Sequence, residues 1–264
     1  MFDFSWFSQP EAWAALFTLT LLEIVLGIDN IVFISILVDR LPPEQRKKGR
    51  IIGLGLAMVA RLGLLATITW MMGLTSSLFS IPVHPLFHNM IPYAAEHGGM
   101  LDISGKGLIL LAGGFFLIWK ATKEIHHKLE GEKESHGSSK AATFGAIMAQ
   151  IAVIDIVFSL DSVITAAGMA DHLSVMALAV VISIGVMMVA ASSIGSFVSK
   201  HPSVKMLALS FLILIGTALI AEGFHFEIPK GYIYFAMAFS LGVEVLNLKL
   251  RSKPVKPSPD HPVM

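Results

Sequence analysis

Apolar residues run along this chain in long unbroken stretches, without the strict alternation of an exposed strand. A helix needs roughly 20 mostly apolar residues to cross a bilayer core about 30 Å thick. Seven stretches approach or exceed that length: about 12–38, 51–73, 107–123, 143–169, 174–197, 204–222 and 229–248. Only helices and closed barrels satisfy the backbone in lipid, and runs this long without ten-residue alternation select helices. The pattern predicts an all-α polytopic membrane protein with seven transmembrane helices. Residues 1–248 form one transmembrane domain, and 249–264 form a disordered cytoplasmic tail carrying Pro254, Pro257, Pro259 and Pro262. Two other polar pieces lie outside the bilayer: the Pro- and His-containing loop 76–106 and the charged linker 126–139, HHKLEGEKESHGSS. Met1 to Pro10 has neither a basic region nor a small-residue cleavage site and reads as a short exposed tail.

Composition turns this pattern into a statement about solvent. Of 264 residues, 55% are hydrophobic and 14% charged, and the mean hydropathy is +0.73. Soluble chains carry about 45–50% apolar and about 25% charged residues, so lipid must bathe most of the surface. The absence of cysteine excludes disulfides, thiolate metal sites and cysteine nucleophiles. A formal net charge of zero gives no basic character suited to a nucleic-acid partner.

The positive charges set an orientation. Arg40, Arg46, Lys47, Lys48 and Arg50 follow the first stretch, and Lys120, Lys123, Lys128, Lys133 and Lys140 follow the third. Lys200 and Lys205 follow the fifth, and Lys249, Arg251, Lys253 and Lys256 the seventh. The opposite face has only Lys106 and Lys230. The expected topology is N-terminus outside, C-terminus cytoplasmic, in the cell (inner) membrane.

The first and fourth stretches repeat one another. LLEIVLGIDNIVFISILVDRL lies over VIDIVFSLDSVITAAGMADHL without a gap when Leu22 is set against Ile154. Glu23 then falls on Asp155, Asp29 on Asp161, Asn30 on Ser162 and Asp39 on Asp171. The copies are three stretches apart, with two between them, so they cross in opposite senses. The result is a 3 + 3 inverted-topology repeat, 12–123 and 143–222, with an extra helix at 229–248. Such repeats point to secondary transporters, with sites near the midplane at the repeat interface.

At 100° per residue, Glu23, Gly27 and Asn30 share one face, as do Asp155, Ser159 and Ser162. Asp29 and Asp161 lie about 100–120° around on regular helices. A local break at Gly27 and Ser159 would let all these oxygens converge and free backbone carbonyls as ligands. Each acid near the bilayer centre costs on the order of 2.5–3.5 kcal/mol on insertion scales. Glu23, Asp29, Asp155 and Asp161 together therefore imply protons or a compensating cation. Arg61 is the fixed positive charge at comparable depth, read as a structural counter-ion first and a gate second. Glu222 sits at a wet end of its stretch. Glu244 and Asn247 extend a polar stripe with Ser240 that either joins the site or lines a vestibule. Carboxylate, carboxamide and hydroxyl oxygens suit Mg²⁺, Ca²⁺ or Mn²⁺ over copper or zinc. No His lies in either motif; His84, His88, His97, His126 and His127 read as solvated loop residues.

These motifs resemble the TerC family of integral membrane proteins. The resemblance rests on EIVLGIDNIVF (23–33), FLIWKATKEIHHKLEG (116–131), DIVFSLDSVITA (155–166), HPSVKMLALSFLILIG (201–216) and IPKGYIYFAMAFSLGVEVLNL (228–248). Within the family the chain resembles the short bacterial form, without the cytoplasmic CBS domains that some relatives append; the loop around 81–99 is longer than the family pattern leads one to expect. The resemblance implies export of manganese or related ions. Carried over by motif, Glu23, Asp29, Asn30, Asp155, Asp161 and Ser162 are the metal set, supported by Gly27, Ser159, Arg61, Glu244 and Asn247.

The first functional expectation is thus a non-enzymatic exporter of a divalent cation, Mn²⁺ first, with lipid and the ion as partners and no prosthetic group. An alternative is a non-transporting membrane partner that assists metal loading or export, docking other proteins through 126–139. A remote one is an intramembrane aspartyl protease using Asp29 and Asp161; against it, no Gly-x-Gly-Asp motif is present.

Overall fold

The computed structural model describes residues 5–85, 91–130, 143–169, 172–226 and 228–251, without the side chains of 5, 29, 69, 71, 165, 168, 169 and 251. The expected disordered tail beyond 251 and positions 131–139 of the linker lie outside the described residues. By its contacts the chain divides into residues 1–228 and 229–264, taken separately below.

In the first unit, α1 spans Pro10–Val38, α2 Pro43–Ala66 and α3 Ile68–Gly73. A β1 strand, Ser77–Pro82, the short α4, Pro92–Glu96, and β2, Met100–Ser104, follow. Then come α5, Gly105–Leu129; α6, Phe144–Met169; α7, Leu173–Lys200; and α8, Pro202–Gly223. Proline opens α1, α2, α4 and α8, where its missing N–H would have had no partner anyway. α5 starts at Ser104, whose hydroxyl accepts from the Gly107 N–H at 3.0 Å, an N-cap of the preferred type.

Six described helices are long and apolar enough to cross a membrane: α1, α2, α6 (Phe144–Ile164), α7, α8 and the helix Lys230–Leu250 of the second unit. The stretch expected at 107–123 is α5, which is not among the six. Its apolar run from Gly107 to Trp119 is closed in by Lys106 and Lys120. The helix continues to Leu129, taking the first residues of the expected linker into regular structure.

The helices pair in a particular way. α1 packs along α7, α2 along α6, and α5 along α8. The α5–α8 contact is made by backbone. A Cβ on Gly107 would sit 3.0 Å from the Gly223 carbonyl oxygen, and one on Gly114 2.6 Å from that of Gly216. The segments carrying these glycines, GLILLAGGF from Gly107 and GTALIAEGF from Gly216, match at both glycines and at Leu110/Leu219, Ala112/Ala221 and Phe115/Phe224. Small residues are what let helices approach this closely in lipid.

Along the first half of α1 one stripe is buried: Ala12, Leu16, Leu19, Glu23, Gly27 and Asn30. Spacings of three and four keep it on one face, while Phe17, Leu21 and Val25 point away and are exposed. From Ile31 on, α1 is buried nearly all round. The start of this stripe joins Trp6, Leu65, Leu160, Val163, Val175, Met176 and Ala179 in an apolar cluster.

The expected helix break is overturned. α1 runs without interruption through Gly27, and α6 through Ser159. Gly27 has a packing reason instead: a Cβ there would collide with the Met187 sulfur of α7. Loop 76–106 also proves more structured than its composition suggested. β1 and β2 pair antiparallel, Ser80 opposite Asp102 and Ile81 opposite Leu101. The return into β2 uses positive φ at Gly98 (63°) and Gly99 (81°), a conformation glycine takes without steric cost.

The second unit is α9, Lys230–Arg251. Tyr232, Phe235, Phe239, Leu246 and Leu250 are exposed on it, as suits a helix with lipid for solvent. Ser240 and Glu244 are half-buried and Asn247 is exposed.

Candidate functional site

The buried stripes of α1 and α6 carry their polar residues to one place. Arg61, on α2, donates through Nη1 to Glu23 Oε2 and through Nη2 to Asp155 Oδ1, the latter at 3.2 Å. Its Nε lies 3.4 Å from Asp155 Oδ2. Asn30 Nδ2 donates to Asp155 Oδ1 at 3.2 Å, and Ser159 Oγ to Asp155 Oδ2 at 3.2 Å. Each Asp155 oxygen therefore accepts two bonds. All five residues are buried: Glu23 is 5% exposed, Arg61 2%, Asp155 3%, Asn30 7% and Ser159 0%. Ions so far from water persist only when paired and hydrogen-bonded. Helical spacing explains the convergence, since Glu23 and Asn30 share the inward face of α1, and Asp155 and Ser159 share that of α6.

Asp161 belongs to a second cluster. At 1.5 Å per residue it lies about 9 Å along α6 from Asp155. Lys106, at the start of α5, donates to Asp161 Oδ1 at 2.8 Å and to Glu222 Oε1, at the end of α8, at 2.9 Å. The expected convergence of all the acids is thus replaced by a separation, because an unbroken α6 carries Asp161 away from Asp155. Ser162 bonds within its own helix, donating to the Ser159 carbonyl at 3.2 Å. The side chain of Asp29 lies outside the described set, although its backbone is helical. Glu244 and Asn247 belong to α9 and are described with it. Among the described residues, no three His, Asp or Glu side chains gather as a metal site.

A third cluster closes the other end of α8. Asp39, just past α1, accepts from Ser199 Oγ at 2.9 Å and from Lys205 Nζ at 3.4 Å, with Arg50 at 3.6 Å. Its backbone carbonyl takes Arg46 Nη2 at 2.8 Å. Arg40 pairs with Glu124 nearby in sequence to this corner, and burial lowers the Arg40 pKa. From Glu23 to Asp39, α1 runs toward the α8 start; from Asp155 to Asp161, α6 runs toward the α8 end. The two helices cross the bundle in opposite senses, with the Arg61 centre between the two ends.

Sequence reasoning missed the part played by Lys106 and Glu222. The signal available was Lys106 itself: one of the two basic residues assigned to the face that should have few, set at the edge of an apolar run. The hairpin loop has its own polar knot. Tyr93 Oη donates to Asp102 Oδ2 at 2.8 Å, and Ser80 donates to Asp102 as well. The Tyr93 ring stacks between His97 and His225 at 4.0 and 4.1 Å between centroids. His225 has φ 61°, terminating α8, and its Nε2 meets the Asp102 carbonyl at 2.7 Å. Hydrogen bonds from Ser80 and then Tyr93 lower the Asp102 pKa below the ordinary carboxylate value.

Several apolar spans, helices packed across a shared charged centre and capped by ion pairs at both ends, define a polytopic α-helical membrane protein with a polar core. The chain belongs to the TerC family: the model of the "Integral membrane protein TerC family" matches residues 8–256. It is 57% identical over 250 residues to the UPF0053 inner membrane protein YgdQ of Escherichia coli (strain K12), covering 95% of this chain and 98% of that one. A UPF0053 protein of Haemophilus influenzae is 53% identical over 250 residues, covering 94% and 98%. The longer UPF0053 inner membrane protein YoaE of E. coli is 50% identical over 240 residues, which are 90% of this chain and 43% of that one. The match thus spans nearly all of the two shorter relatives and less than half of the longer one. No solved structure matches.

Proposed function

We propose that this chain exports a divalent cation, Mn²⁺ first, through the polar core between α1 and α6. The observation that carries the reading is the meeting of Glu23 and Asp155, aligned in the two motifs, across one arginine deep in the bundle. Intramembrane acids face protein or an ion path rather than lipid, and oxygen donors without sulfur or imidazole suit a hard ion. The pathway runs past Asp161 and Ser162 on one side of the centre, which Asn30 helps to form, and past Asp29 on the other.

Helix pairing supports an inverted repeat beneath this site. If α1, α2 and α5 exchange with α6, α7 and α8, the α1–α7 contact maps onto α6–α2, and α5–α8 maps onto itself. Those are the main pairings, and the Gly107–Gly223 contact maps onto Gly216–Gly114. On this reading α5 completes seven spans, with the N-terminus outside and the C-terminus on the lysine-rich cytoplasmic side. The carboxylates then act as ligands; neither a prosthetic group nor a catalytic role is assigned to them.

The test is Mn²⁺ flux in proteoliposomes with wild type, Asp29→Asn and Asp161→Asn. Saturable flux lost in both variants supports the transporter. Wild-type vesicles that move no divalent ion overturn it, leaving the membrane-partner reading with the segment 126–139 as its docking site.

A further inference from the structure

We infer that Arg61 is a tethered stand-in for the transported cation: its guanidinium occupies the Glu23 and Asp155 carboxylates in the ion-free state, and a divalent ion binds there only by displacing it. This rests on the ion-transport reading of the same site.

The lone pairs argue first. Asp155 Oδ1 is held by Arg61 and Asn30, and Asp155 Oδ2 by Arg61 and Ser159. Glu23 Oε2 is engaged by Arg61 Nη1. A hard divalent cation needs those carboxylate oxygens at bonding distance, about 2.0–2.6 Å. A guanidinium and a metal ion cannot share them. Charge argues second. Two carboxylates and one guanidinium leave the centre with one net negative charge. A divalent ion in place of Arg61 neutralises it, whereas both cations together leave excess positive charge in a water-poor interior, where it is penalised most.

The asymmetry of the two copies argues third. Arg61 reaches the acids of both motifs from α2, while α7, the counterpart of α2, has no basic residue before Lys200 at its end. One side chain thus neutralises both copies and can vacate both in one movement. The long flexible stem that supplies this reach also permits withdrawal. An ion-free protein closed on Arg61 avoids unpaired buried acids while the empty carrier returns, so Arg61 sets affinity and turnover in opposite directions.

The experiment measures Mn²⁺ binding to the purified full chain in detergent by the loss of the free-ion electron paramagnetic resonance signal. Wild type is compared with Arg61→Lys, Arg61→Met and Arg61→Met/Glu23→Gln. Initial Mn²⁺ flux is followed in parallel in proteoliposomes. Arg61→Lys keeps the charge and guards against a misfolded Met variant, and a monodisperse elution profile reports folding for each. The expected result is binding at least tenfold tighter in Arg61→Met and several-fold tighter in Arg61→Lys, with maximal flux falling in both. Adding Glu23→Gln removes the gain. Unchanged or weaker binding in both folded single variants, with wild-type flux intact, overturns the stand-in role and leaves Arg61 a structural counter-ion. Absence of both binding and flux in wild type overturns the transport reading itself.

Discussion

Two basic side chains hold the described acids of the membrane motifs, and they do so in different solvents. Arg61 and its partners Glu23 and Asp155 have side chains 3%, 7% and 4% exposed. Lys106 and its partners Asp161 and Glu222 are 21%, 9% and 24% exposed. The first trio is cut off from water and held together by several hydrogen bonds, so its charges are worth most and its disruption costs most. The second opens partly to solvent, where an ammonium can exchange with water and ions at little cost. The contrast sets a deep, closed centre around the guanidinium against a partly solvated cluster at one end around the ammonium.

The comparison is broken most severely at the centre. Arg61→Ala leaves two buried carboxylates without a counter-charge, and removing one partner of such a pair costs about 3–5 kcal/mol. Thermal unfolding in detergent should show it as the least stable variant in ion-free buffer. Saturating Mn²⁺ should recover much of the loss, since a ligand of the native state stabilises it. A loss no larger than that of Lys106→Met would erase the distinction between the two regions.

Next come the glycines that frame the core. Gly114→Ala places a methyl group 2.6 Å from the Gly216 carbonyl oxygen, backbone that cannot yield without parting α5 from α8. Overpacking of this kind costs about 1–3 kcal/mol, and the unfolding temperature should drop accordingly. Gly27→Ala meets the flexible Met187 side chain instead, so it should cost less and be relieved by Met187→Ala.

Smaller still is Lys106→Met. Its ion pairs are partly exposed, and such pairs contribute about 1 kcal/mol or less. The double-mutant coupling with Asp161→Asn should fall in that range and shrink further at high salt. A large, salt-insensitive coupling would make the end cluster as closed as the centre.

The smallest effect is local and concerns pH. Asp102 has a folded pKa below its ordinary value, held there by Ser80 and Tyr93. Such a group stabilises above its unfolded pKa, and that contribution disappears as pH falls through the folded one. Hydrogen exchange across β1 and β2 should therefore accelerate once the pH drops below the ordinary carboxylate range, with no change between neutral pH and that range. Asp102→Asn should flatten this response.

Much of the architecture was legible before any coordinates because apolar run length and helical spacing are local properties. The stripe Glu23, Gly27, Asn30 and its partner Asp155, Ser159 needed only 100° per residue, and the depth of Arg61 needed only its place in an apolar run. Tertiary contacts were not legible in the same way. Lys106 meets Asp161 and Glu222 from three helices far apart in the chain, and no periodicity brings them together. Along α1 alone Gly27 looks like a weakness; the reason for it is the Met187 sulfur on another helix. The hairpin leaves little local signal, because Ser77–Pro82 is short and its partner strand returns only after Gly98 and Gly99, many residues later.

If a divalent ion passes through the Glu23–Asp155 centre, Mn²⁺ entry into proteoliposomes must depend on Asp155, and wild type beside Asp155→Asn decides the matter. The expected result is saturable entry with wild type and none above protein-free vesicles with the variant, although it still inserts and elutes as a folded species. Equal entry in the two, or none with wild type, would contradict it.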